Sequence, residues 1–193
     1  ILVSITQNAT SGITDSISSM GSDQITAVIT DSDVSISAES VQELSGYGAI
    51  SSVAPVITTN QTVKHNSESG SYSIVGITQS YFDVQNIAIQ SGKLITASDL
   101  EWYTSVAVIG TEVAADLFGT WDAVGGTITI GDRNYTVIGV LEEQGSSLVG
   151  SDDSKILIPY STAEKATGQK EVSTFYIKAA SAGTVDMAIN TVE

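Results

Sequence analysis

Apolar residues recur along the chain with two periods, and the switches between them mark its elements. Ile5, Ala9, Ile13, Ile17 and Met20 return about every four residues, which predicts a helix over residues 1–20 with Gly21 as its C-cap. Gln24 to Thr30 reads as a strand, closed by the polar break Asp31-Ser32-Asp33. Val34 and Ile36 follow, and Ser37 or Ser40 can open a short helix. Ser40 and Glu43 stand at capping-box spacing, and Gly46 and Gly48 end the helix. Ile50 to Ile57 is a second strand, in which Pro55 argues for an edge or a bulge. Residues 24–57 thus form a β-α-β unit. Thr58–Lys64 and Ser71–Thr78 alternate as a hairpin around the polar tip His65–Gly70.

Beyond the hairpin, Tyr81, Phe82 and Val84 form an apolar cluster, and Asn86 to Gln90 reads as a strand turned at Ser91-Gly92. Thr96 and Asp99 give a helix-start signal. Val106–Ile109 is a short buried strand. Thr111 can cap a helix with Glu112 in its first turn and Gly119 at its end, and Ala114, Leu117 and Phe118 share one face. Thr127–Ile130 and Tyr135–Leu141 are β-branched strands around the turn Gly131-Asp132-Arg133-Asn134. Glu142 to Ser154 is polar and glycine-rich, with Leu148 and Val149 stranded in it. Lys155–Pro159 is a strand, Ser161 and Glu164 form a capping box for a helix that Gly168 ends, and Ser173–Ala179 is a strand. Val185, Ala188, Ile189 and Val192 mark a last amphipathic helix. The class expected is α+β in two lobes. Residues 1–78 and 153–193 give a discontinuous β-α-β lobe, and residues 79–152 an inserted β-rich lobe.

Charge changes this picture more than size does. Net charge is −15, from 22 acidic and 7 basic residues. That field repels phosphate backbones and anionic headgroups, so nucleic acid is excluded as a partner. Few Lys and Arg also fit the outer side of a membrane. There is no cysteine, hence no disulfide and no thiolate chemistry. No apolar run reaches the roughly 18 residues of a membrane span, and no signal-peptide pattern is present. The chain opens on Ile1-Leu2-Val3 without Met, as expected of a piece of a longer protein.

The search for chemistry yields no catalytic, cofactor or metal site. His65 is the single histidine, and a triad or a zinc site needs partners it lacks. Gly110 follows a strand and precedes a helix, but the G-x-G-x-x-G glycines are missing and Glu112 would repel a pyrophosphate. Asp31-Ser32-Asp33 and Asp152-Asp153 lack calcium-loop spacing. Glu142 and Glu143 are adjacent at a strand end and point apart. Gly145-Ser146-Ser147 lacks the second glycine of a nucleophile elbow.

A family pattern runs through the centre. It reads V-A-V-I-G-x-x-V-A-x-x-L-F-G over residues 106–119, then D-x-V-G at 122–125, I-x-I-G at 128–131 and V-I-G-V-L at 137–141. With Val53-Ala54-Pro55, Ile74 to Thr78, Tyr81-Phe82, Ser91-Gly92-Lys93 and Ile158 to Ala163 in the same order, it resembles the extracytoplasmic (periplasmic core) domain of MacB-type ABC transporter permeases, in the FtsX-like superfamily. The resemblance implies a porter-like lobe from both chain ends and an inserted sabre-like lobe. It implies no enzymatic activity and no cofactor in this domain, with ATP bound at a separate cytoplasmic domain or subunit. Its expected partners are the ABC ATPase, a second permease copy, the membrane through flanking helices, and a membrane-fusion adaptor. The expected location is the cell membrane, with this domain on the extracytoplasmic face. The role implied is coupling of ATP hydrolysis to extracytoplasmic movement for export of an antimicrobial, peptide or lipoprotein-type substrate. Leu148, Val149, Asp152 and Asp153 in one loop, and His65 and Asn66 at the hairpin tip, are the candidate partner contacts. The isolated domain is expected to be a monomer. Competing expectations are a secreted or cell-surface binding module using Trp102, Tyr103 and Trp121, and a hydrolase with an unseen site.

Overall fold

The computed structural model describes residues 18–19, 24–29, 37–46, 48–143, 152–168, 172, 174–181, 184 and 188. The helix expected over residues 1–20, the break at 31–33, Leu148 and Val149 lie outside them. So does most of the closing helix, of which Ala188 is described and buried. Ser18–Ser19 is not helical but a two-residue strand, β1, held by pairing with β2, Gln24–Val28.

Helix α1, Ala38–Glu43, is capped by Ser37 rather than Ser40: the Ser37 hydroxyl accepts from the Ser40 N–H at 3.2 Å. Strand β3 then runs unbroken from Ile50 to His65, joining two segments that the pattern separates at Ile57. Pro55 is tolerated because residues 50–55 pair only with β10, leaving an edge without a ladder for the missing N–H. Strand β4, Glu68–Ile77, returns antiparallel from His65↔Glu68 to Val56↔Ile77. The tip is therefore only Asn66-Ser67, with Asn66 in the left-handed region at φ 53°. The six-residue polar loop is mostly strand, because Glu68, Ser69 and Gly70 find cross-strand partners despite their polarity.

Helix α2, Ser80–Gln85, buries Tyr81, Phe82 and Val84, and β5 is Ile89–Gly92. Helix α3, Ala97–Glu101, precedes β6, Val106–Ile109, and α4, Thr111–Phe118. Gly110 holds the capping position in place of Thr111, because its N–H still serves the sheet, donating to Lys155 O at 2.9 Å. Strands β7, Thr127–Ile130, and β8, Arg133–Leu141, flank a two-residue turn. A 3-10 turn at Asp152–Ser154 leads to β9, Lys155–Pro159, then to α5, Tyr160–Thr167, and β10, Thr174–Ala179. Helix α5 starts at Tyr160 behind Pro159, and the expected capping box does not form. The Ser161 hydroxyl donates instead to Leu100 O at 2.6 Å.

Among the described residues ten strands form one sheet in the order β1-β2-β10-β3-β4-β9-β6-β8-β5, with β7 bridging β8 and β3. The strands of residues 24–77 and 155–179 interleave: β10 lies between β2 and β3, antiparallel to both, and β9 pairs parallel with β4. Both β-α-β units are thus split units. The pairings β3–β4, β4–β9, β9–β6, β6–β8, β8–β7 and β7–β3 close a circuit of six strands. Its inner face carries Ile57, Val63, Ile74, Ile109, Ile128, Tyr135, Val137 and Ile156, and α4 packs into it through Val113, Ala114 and Leu117. A circuit this small is filled by side chains and is no channel. The opposite face is covered by α2 and by Ile87 and Ile95. The fold is α+β and dominated by the sheet.

Two glycines are required by close approach. At Gly76 an added Cβ would collide with the methyl of Ala163, so α5 rests directly on the β4 backbone. Gly92 has φ 84° and pairs with Gly139, where added carbon atoms would strike the backbone of Ile138 and Lys93.

Candidate partner interface

The hairpin tip is a braced structure. The His65 ring stacks on Phe118 at the end of α4, with centroids 3.9 Å apart and planes 29° apart. Strand alternation turns His65 to the same face as Ile57 and Val63, which sets this contact. A carbonyl only accepts, so His65 Nδ1 carries the proton and donates to Thr127 O at 2.7 Å; Nε2 then accepts from the Asn66 amide at 3.0 Å. Four residues into β4, Tyr72 donates its hydroxyl to Asp116 on α4 at 3.2 Å. Burial pushes the Tyr72 phenol up to about 12, the nearby Asp116 charge and the hydrogen bond adding to it, so the phenol remains a donor at neutral pH. The long hairpin, α4 and the start of β7 are tied at three points and present Asn66, Ser67 and Glu68 to solvent.

Of the other predicted contacts, Asp153 is 5% exposed, so it is not a surface residue of the loop. Asp152 opens the 3-10 turn beside α4. Burial removes Asp153 from any exposed patch with the 65–66 pair. Trp102, Tyr103 and Trp121 are exposed, at 74%, 52% and 60%. Tyr103 receives Lys165 Nζ over its ring at 5.4 Å.

Among the described residues no group of three or more His, Asp or Glu could hold a metal. Among the described residues Asp99 is the one carboxylate with a lowered pKa, and its environment is that of a cap. Burial pushes it up, but hydrogen bonds from Thr96 N at 2.9 Å, Thr96 Oγ1 at 2.7 Å and Thr104 Oγ1 at 2.9 Å, with Lys93 nearby, hold it below the ordinary range. This fixes the α3 turn and carries no chemistry. No helix of the described residues is long and apolar enough to cross a membrane.

Sequence reasoning missed both the brace and a cavity of about 380 Å³ on the inner face of the strand circuit. The cavity had a readable signal: Thr59 and Gln61 interrupt the inward apolar positions of β3 between Ile57 and Val63. The brace had none, since it joins residues 44 and 53 positions apart (Tyr72 with Asp116, His65 with Phe118).

The closed six-strand circuit beside split β-α-β units is shared with known proteins. The family described as MacB-like periplasmic core domain matches residues 1–193. A macrolide export ATP-binding/permease protein, MacB 1/2 of Paracoccus denitrificans, is 30% identical over 141 residues, covering 72% of this chain and 21% of that protein. The extracellular domain of the noncanonic ABC-type transporter YknZ from Gram-positive bacteria has the same fold, with a TM-score of 0.69 at 23% identity over 80% of this chain and 78% of that one. The periplasmic region of MacB from Actinobacillus actinomycetemcomitans gives 0.66 at 24% identity over 76% and 66%. The chain belongs to the MacB-like periplasmic core domain family, an extracytoplasmic domain of ABC transporter permeases. It spans about a fifth of the length of the curated relatives it matches.

Proposed function

We propose that this domain transmits conformational change for export in a MacB-like permease and performs no catalysis of its own. The observation that carries the proposal is the match of the family along all 193 residues, to which the braced hairpin adds a suitable lever. ATP is bound and hydrolysed at a separate cytoplasmic domain or subunit, and the movement reaches this domain through flanking membrane helices. Two permease copies act together, and the isolated domain is a monomer. No cofactor binds here. Residues 1–78 and 153–193 serve as the porter-like lobe and 79–152 as the sabre-like lobe. The strand order supports that division, since the strands of the two ends lie side by side and β6, β8 and β5 follow beyond β9. The substrate is of antimicrobial, peptide or lipoprotein type. A membrane-fusion adaptor is contacted by the hairpin tip around Asn66 and by the loop that carries Leu148, Val149 and Asp152. Asp153 is left out because it is buried.

The parent reading frame tests this directly. One apolar span of about 20 residues before Ile1 and about three after Glu193 are expected of the permease. A signal peptide before Ile1 with no span after Glu193 would replace it with the secreted binding module, for which the exposed Trp102 and Trp121 are the available contacts.

A further inference from the structure

We propose that the cavity at the mouth of the strand circuit is a binding site for a compact amphipathic monoanion, an apolar body carrying one carboxylate. Its volume of about 380 Å³ lies within the range of small-molecule sites, and barrel mouths are a usual place for them. The floor is apolar: Ile57, Ile74 and Ile158 from three adjacent strands, with the Tyr135 ring. The rim is polar, with Thr59 and Gln61 from β3 and Arg133 from the start of β8.

Two side chains point to a ligand. Tyr135 is 1% exposed and lines the cavity, yet among the described residues no hydrogen bond reaches its hydroxyl. Burial pushes its phenol above the ordinary value, so the hydroxyl stays protonated and can donate to a ligand in the cavity. Arg133 is the only arginine of the sequence and is half-buried. No ion pair to its guanidinium is formed among the described residues. A planar fork beside an apolar floor is suited to a carboxylate, which it meets with two parallel hydrogen bonds.

Asp132 also lines the mouth and sets up the rival outcome. It is exposed at the turn, whereas Arg133 and Tyr135 reach inward, so water screens Asp132 more than the guanidinium. The net charge of −15 lowers the approach rate of an anion at low salt but acts weakly beyond about 10 Å at 0.1 M ionic strength. An apolar cation is the ligand that Asp132 would favour.

The test is an amide-resonance titration of the 193-residue chain with decanoate, decan-1-ol and decyltrimethylammonium, each below its micellar concentration. Decanoate is expected to saturate, moving Thr59, Gln61, Ile74, Arg133 and Tyr135 and leaving Trp102 unmoved. Arg133→Gln is expected to weaken decanoate about tenfold or more, and Tyr135→Phe about threefold to tenfold. Ala166 is an exposed residue of the rim, so Ala166→Trp fills the mouth without entering the core and is expected to abolish binding at unchanged melting temperature. The proposal is overturned if decanoate shifts are unsaturable or map elsewhere, if Arg133→Gln and Ala166→Trp bind like the parent, or if decan-1-ol or the cation binds as tightly as decanoate.

Discussion

Replacing Gly76 by alanine tests whether α5 rests on the sheet at backbone distance. The new methyl would overlap that of Ala163, with Ile57 Cβ and Tyr160 Cα each 3.6 Å away, so no open side exists for relief. Alanine in a strand normally gains about 0.5–1 kcal/mol over glycine through backbone entropy. Overpacking of a filled site costs about 1–3 kcal/mol. The net cost expected is about 1–2 kcal/mol, a melting temperature lower by about 2–8 °C at this chain length. Ala163→Gly alone costs about 1 kcal/mol in helix propensity and about 0.8 kcal/mol for the lost buried carbon. The double variant only moves the methyl from helix to strand, so it should be no less stable than Ala163→Gly. Urea unfolding followed by circular dichroism reads all four proteins, provided the slope is constant. A coupling of about 1–2 kcal/mol is expected. Additive costs, or a Gly76→Ala protein as stable as the parent, would refute the close docking of α5.

Removing the His65 ring by His65→Ala should cost about 1–2 kcal/mol, from the stack on Phe118 and the bond to Thr127 O, and raise hydrogen exchange at residues 63–68; unchanged exchange would argue against the brace. Asp99→Asn should cost about 1 kcal/mol at neutral pH as a lost charged cap. Because the folded carboxyl is held below its ordinary value, its contribution is complete above the carboxylate range and is lost as pH falls through it; parent and variant should converge in stability at low pH, and a gap constant with pH would contradict this. The Tyr72 phenol is raised, so the unfolded chain releases this proton from about pH 10 while the folded one keeps it to about 12. Its stabilisation is complete below pH 10 and is lost over that window, and ultraviolet titration of Tyr72→Phe should lack one late-ionising tyrosine.

Local signals were legible where the cause is local. Val106 to Ile130 shows this: a buried apolar run, helical spacing ended by Gly119 at φ 66°, then β-branched residues, and the element bounds follow to within one residue, at the start of α4. Ser37 was visible as one of two caps, and the choice between them rested on a single hydrogen bond. The hairpin of β3 and β4 was legible, but its length was not, because polar Glu68 and Ser69 gain their extended form from partners across the ladder. The insertion of β10 between β2 and β3 joins residues about 120–150 positions apart and leaves no periodic trace. Closure of the circuit rests on two residue pairs, Val63↔Ile130 and Lys64↔Thr129, which no pattern announces. At the candidate interface, polarity suggested exposure for Asp153, but the 3-10 turn against α4 buries it.

The role in transmission is tested most directly by distance measurements in the full-length parent transporter. This domain has no cysteine of its own, so in a parent whose other cysteines are replaced by serine Ser67→Cys places one spin label at each exposed hairpin tip without disturbing the left-handed Asn66. Double electron–electron resonance between the two copies should give one distance distribution without nucleotide and a displaced one with ATP and vanadate. Identical distributions in the two states, in a transporter that still hydrolyses ATP, would contradict a domain that moves with the ATPase cycle.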